Sequence, residues 1–70
     1  MIKEHFEVTI FLHNGNISKF TYDDTFENVE DIVSKMWYAG FLESNPQNPK
    51  RKVHIQPEEI RRIEIKQIEE

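Results

Sequence analysis

Residues 5–22 read HFEVTIFLHNGNISKFTY, and the apolar positions on either side of the central Asn-Gly-Asn decide the kind of fold this chain can adopt. Phe6, Val8, Ile10 and Leu12 alternate with Glu7, Thr9, Phe11 and His13, the period of two expected of a strand with one side on a core. Asn14, Gly15 and Asn16 tolerate the positive φ of tight turns, and a second strand follows from Ile17 to about Tyr22. A two-residue turn at Asn14-Gly15 would set Ile10 against Lys19 and Val8 against Thr21, polar partners for a core face. A three-residue loop at 14–16, with Asn16 left-handed, sets Ile10 against Phe20 and Val8 against Tyr22. Because a one-residue slip turns every side chain over, the apolar pattern selects the three-residue loop.

Beyond the hairpin, Asp24 is expected to cap a helix, with Glu27 reaching back in a capping box. Over residues 25–39, Phe26, Val29, Ile32, Val33 and Met36 form one apolar stripe at helical spacing. Glu27, Glu30 and Asp31 crowd the first turns, where the helix dipole favours negative charge. Gly40 is the expected left-handed stop, with Phe41 folding back on Met36. Residues 44–52, with two prolines and a basic run, read as a polar loop. Val53–Gln56 reads as a short strand and Pro57-Glu58-Glu59 as one helical turn. On a helix, Ile60, Ile63, Ile65 and Ile68 would spread over about 200°, too wide for one stripe. On a strand from about 62 to 67, Ile63 and Ile65 point inward while Arg62, Glu64 and Lys66 point outward. The expected class is α+β, in the order β-β-α-β-β, with one helix packed on one face of an antiparallel sheet.

Seventy residues make one domain, 1–70, with a thin margin of stability, since such a chain buries only about 60% of its unfolded surface. It has no cysteine, so neither a disulfide nor a thiolate zinc site adds to that margin. A homodimer is one expected compensation. The lack of cysteine, of a run of ~18 apolar residues and of a signal-peptide pattern points to a cytoplasmic protein with no membrane segment. Thirteen acidic against nine basic residues, a net charge of −4, argues against nucleic acid as a partner.

Catalytic patterns are missing. Two glycines cannot build a phosphate loop. Ser18, Ser34 and Ser44 lack the context of a nucleophile elbow. His5, His13 and His54 lack the spacing of metal ligands, and the acidic helix face is read as solvated. No catalytic residue, cofactor or metal is therefore expected. Two features remain as binding candidates. Trp37, Tyr38 and Phe41 gather aromatic rings at the helix end, shortly before Lys50, Arg51 and Lys52, and together they form the expected binding site. Phe11 and Ile17 lie on the sheet face away from the helix and form the expected self-association interface.

Glu7-Val8-Thr9-Ile10-Phe11-Leu12, the Asn-Gly turn, the acid-capped helix and Val53-His54-Ile55-Gln56-Pro57-Glu58-Glu59-Ile60-Arg61-Arg62-Ile63-Glu64-Ile65 together resemble small uncharacterised accessory proteins of low-GC Gram-positive bacteria and their phages. That resemblance implies a host-modulating or defence-countering protein that occludes a host protein or sequesters a small molecule. The leading expectation is a non-catalytic protein-interaction module, of the kind of a phage inhibitor or modulator of a host protein. The alternative is a binder of a small nucleotide-like ligand, with its site at a subunit interface.

Overall fold

The computed structural model describes residues 4–45 and 47–68. The elements are β1 (Glu4–Leu12), β2 (Ile17–Asp24), α1 (Phe26–Ala39), β3 (Phe41–Asn45), β4 (Asn48–Ile55), a 3-10 turn (Pro57–Glu59) and β5 (Ile60–Ile68). The expected α+β elements β-β-α-β-β are all present, with one strand more directly after the helix. Part of the stretch read as a polar loop is strand, so that β3 and a longer β4 form a second hairpin (Pro46 lies outside the described residues). The strands make a three-stranded antiparallel sheet, β2-β1-β5, and a two-stranded one, β3-β4.

β1 is central, and its alternation does what the period of two requires. Phe6, Val8, Ile10 and Leu12 are all buried, Val8 and Ile10 completely. They meet Val29, Val33 and Met36 from α1, with Phe41 and Ile60 closing the core. Each such aliphatic side chain contributes about 1.5–3 kcal/mol when removed from water. Tyr22 is partly buried against this core, and desolvation pushes its phenol pKa above the ordinary value.

The first hairpin has a three-residue loop, placed one residue earlier than expected. Leu12 N–H donates to the Asn16 carbonyl (3.0 Å), and Gly15 N–H donates to the Leu12 carbonyl (3.1 Å). The loop is therefore 13–15, and Gly15, at φ 91°, takes the left-handed position in place of Asn16. Val8 pairs with Phe20 and Phe6 with Tyr22, a shift of two from the expected register that keeps both rings on the core side. Glycine wins that position because only it adopts positive φ without a Cβ penalty. The Asn14 side chain instead accepts from Asn16 N–H at 2.9 Å.

The helix cap also moves by one residue. Thr25 is the N-cap, its hydroxyl accepting from Asn28 N–H, while Asp24 Oδ1 accepts from Thr25 N–H and Asn28 Nδ2. Gly40 ends the helix as expected, its N–H donating to the Met36 carbonyl at 2.9 Å. β5 pairs with β1 throughout, with an irregularity where Phe11 faces Arg62 but Leu12 faces Ile60. Arg61 is the extra residue of a bulge. The bulge explains how Ile60 and Ile63, three apart, can both serve the core side of a period-two strand.

Candidate functional site

The helix end and the second hairpin are joined by one side chain. The last carbonyls of a helix have no partner inside it, and here His54 Nε2, from β4, donates to the Ala39 carbonyl at 2.9 Å. Its Nδ1 lies 3.0 Å from Gln56 Nε2, an amide donor, and accepts from it. Leu42 stands directly opposite His54 in the β3-β4 ladder. Alternation along the strand places Lys52 on the same face as His54. Tyr38, beside Ala39, projects away from the core: with Val29 and Met36 facing the sheet, 100° per residue turns Tyr38 to the opposite side.

Tyr38, next to Ala39 in the chain, and Leu42, opposite His54 in the ladder, are thus the exposed side chains nearest in position to the two ends of the His54–Ala39 bond. Tyr38 is 86% exposed and Leu42 60% exposed, large values for residues that carry so much apolar surface. Trp37, 45% exposed, lies a quarter-turn away on the flank that it shares with Phe26. Phe41 is 8% exposed and belongs to the core, its ring edge-on to Phe20 at 5.6 Å, so it stands apart from the two exposed rings. Lys50, Arg51 and Lys52 are exposed on β4. The β3-β4 register slips between Ser44–Lys52 and Asn45–Asn48, which leaves Lys50 and Arg51 in the irregular part of the strand.

Leu42 and His54 were missed at the level of sequence. Leu42 carries no signal of its own, and His54 reads as an ordinary strand histidine until the helix terminus is brought beside it.

On the other sheet face Phe11 and Ile17 are cross-strand partners, a pairing that comes with the shifted register. Ile17 is 54% exposed, but the Phe11 ring lies under Arg62, whose guanidinium carbon is 4.5 Å from its centroid, with Arg61 at 6.0 Å. Around them Lys19, Thr9 and Glu64 form one row and Thr21, Glu7 and Lys66 another. This face is mostly polar, with opposite charges flanking the central strand.

An open depression is lined by Glu7, Lys66, Gln67 and Ile68, and by neither the helix-end rings nor the basic run. Among the described residues no group of three or more His, Asp and Glu lies close enough to hold a metal ion, and no helix is long and apolar enough to cross a membrane. No family model, no curated protein and no solved structure matches the chain.

Proposed function

We propose that this chain is a non-catalytic protein-interaction module of the cytoplasm, and that it contacts its partner through the patch formed by Tyr38, His54 and Leu42, with Trp37 and Lys52 at its margin. The observation that supports this reading is the tie between His54 and the Ala39 carbonyl, with exposed Tyr38 next to Ala39 in the chain and exposed Leu42 opposite His54 in the ladder. Tyrosine and tryptophan are favoured anchors because each combines large apolar area with few rotatable bonds and a polar tip. A rigid platform loses little entropy on binding. The resemblance to phage and bacterial accessory proteins makes a host protein, held by occlusion, the partner to test.

The test is affinity capture with cross-linking, followed by titration of the captured protein against variants. Tyr38→Ala and Leu42→Asp are expected to keep the parent's melting temperature, because neither side chain packs in the core. Each is expected to weaken binding by about thirtyfold, the effect of losing about 2 kcal/mol at an anchor. Lys52→Glu should weaken binding at low salt and matter less as salt rises. Parent-like affinity in both apolar variants would overturn this assignment.

A further inference from the structure

The three-stranded sheet ends at β5, and the ladder determines which backbone groups lie along that open edge. In an antiparallel ladder, successive residues of a strand turn their N–H and C=O to opposite sides. Leu12 N–H bonds toward β2, through the Asn16 carbonyl, so Ile10, Val8 and Phe6 bond that way as well. His13 N–H bonds the other way, to the Glu59 carbonyl at 2.9 Å, in keeping with Phe11, Thr9, Glu7 and His5 bonding toward β5. Their partners Arg62, Glu64, Lys66 and Ile68 are therefore turned inward to β1. Ile63, Ile65 and Gln67 present their N–H and C=O groups outward.

Native proteins usually guard such an edge. β4 does so, with Pro49 and three consecutive cations in the strand. β2 is engaged from the side by the second hairpin, Ser18 Oγ donating to Glu43 Oε2 at 2.9 Å. β5 has no proline, and past the bulge at Arg61 its ladder runs without a break from Arg62 to Ile68, carrying charges of both signs, Arg62, Glu64 and Lys66, that a second copy can complement.

We propose that this edge is the seam of a symmetric dimer, in which β5 of two copies pairs antiparallel about a two-fold axis at Ile65 and forms one continuous sheet. The charges select the register. With the axis at Ile65, Ile65 faces its own copy and Ile63 faces Gln67, the hydrogen-bonding residues on both sides. Glu64 then faces Lys66 of the other copy, twice, at the closer non-bonded positions. With the axis at Glu64, that carboxylate would face itself and Arg62 would face Lys66, which repels. With the axis at Ile63, pairing would run into the bulge and leave the far end of the strand single. Ile65 is also the midpoint of the straight stretch 62–68, so the register with complementary charge is the one that uses its whole length. The depression at Glu7, Lys66, Gln67 and Ile68 borders this seam.

Mass measurement by light scattering or sedimentation, on the full chain at about 10–100 μM, tests the proposal. The parent is expected at twice its 8.5 kDa chain mass. Glu64→Lys sets cations opposite each other across the seam and Lys66→Glu sets carboxylates, so each variant alone is expected to be monomeric. Mixed in equal amounts, the two should form a heterodimer, because each supplies the charge that the other lacks. The double variant, with both signs exchanged, should dimerise by itself. Far-UV circular dichroism separates loss of dimer from loss of fold, and Phe11→Asp, on the open face, should leave the dimer intact. A parent that stays monomeric at 100 μM, an order-of-magnitude ceiling for an ordinary interface, overturns the proposal. So do folded single-charge variants that dimerise like the parent, or a mixture that fails to pair.

Discussion

The two glycines are needed for different physical reasons, and replacing each should expose the difference. Gly40 has φ 73° and ψ −158°, a region closed to residues with a side chain. A Cβ there would lie 1.9 Å from the Ile55 carbonyl oxygen, a backbone atom that cannot swing aside. Gly15, at φ 91°, has open space where a Cβ would go. Gly40→Ala is therefore expected to cost about 3 kcal/mol or more, combining strain and clash, and Gly15→Ala about 1–2 kcal/mol, from conformation alone. Urea denaturation of both variants measures the difference. Equal costs would mean that the close approach of α1 and β4 is not as described. At this scale the sequence was informative about which residues turn the chain. It was silent about Ile55, fifteen positions away, which makes Gly40 irreplaceable.

Among the elements, α1 and the first hairpin show where local pattern reading holds and where it slips. The apolar stripe located the helix, because burial on one side of a 3.6-residue repeat admits few alternatives. Its first residue did not follow from the same logic. Asp24 and Thr25 are both good caps, and the choice fell to Thr25 with Asp24 bracing it through Asn28. Thr25→Ala should thus lower stability by about 1 kcal/mol, whereas Glu27→Ala, outside the cap, should change it by less than about 0.5 kcal/mol. Chemical denaturation decides, and the reverse order would restore the Asp24–Glu27 box. The hairpin register slipped by two for a related reason. Side-chain parity permits only even shifts, but it does not choose among them, and the positive-φ demand at Gly15 did.

Across the whole molecule, the contacts that hold the second hairpin to the first sheet and the helix include Phe41 on Phe20, Ser18 on Glu43, and His54 on the helix end. Ser18 is buried at the sheet edge, so its hydroxyl is a tether as well as a satisfied polar group. Ser18→Ala leaves the Glu43 carboxylate without that donor and should cost about 1–2 kcal/mol. Hydrogen exchange should show the loss locally, with amides of β3 and β4 exchanging faster while those of β1 keep their protection. Uniform acceleration across β1 as well would mean that the two sheets open as one unit. Of the residues in the proposed binding surface, Tyr38 is on α1 and Leu42 on β3, so that surface depends on the integrity of this tether.

What the sequence determined by itself is the set of properties that one segment can carry alone. The alternation in residues 5–12 made β1, the stripe in 26–36 made α1, Gly40 stopped it, and the spread of isoleucines from 60 to 68 excluded a second long helix. That Trp37 and Tyr38 could not both be buried followed from the same stripe, since a helix that fills its inner face has no room for two more rings; that both are exposed is seen only in the fold. Tertiary structure decided the rest. Residues 41–45 and 48–52 carry no period of their own, and they become strands because Phe41 is taken into the core and β3 and β4 satisfy each other's backbone groups. The bulge at Arg61 arises where β5 must serve both Leu12 and Phe11. His54 joins the helix end, opposite Leu42, only because the chain returns there fifteen residues after Ala39, and which strand lies at the open edge is a property of sheet order. Such features depend on pairs of segments meeting in space, and the energy of a pair is written in neither segment alone.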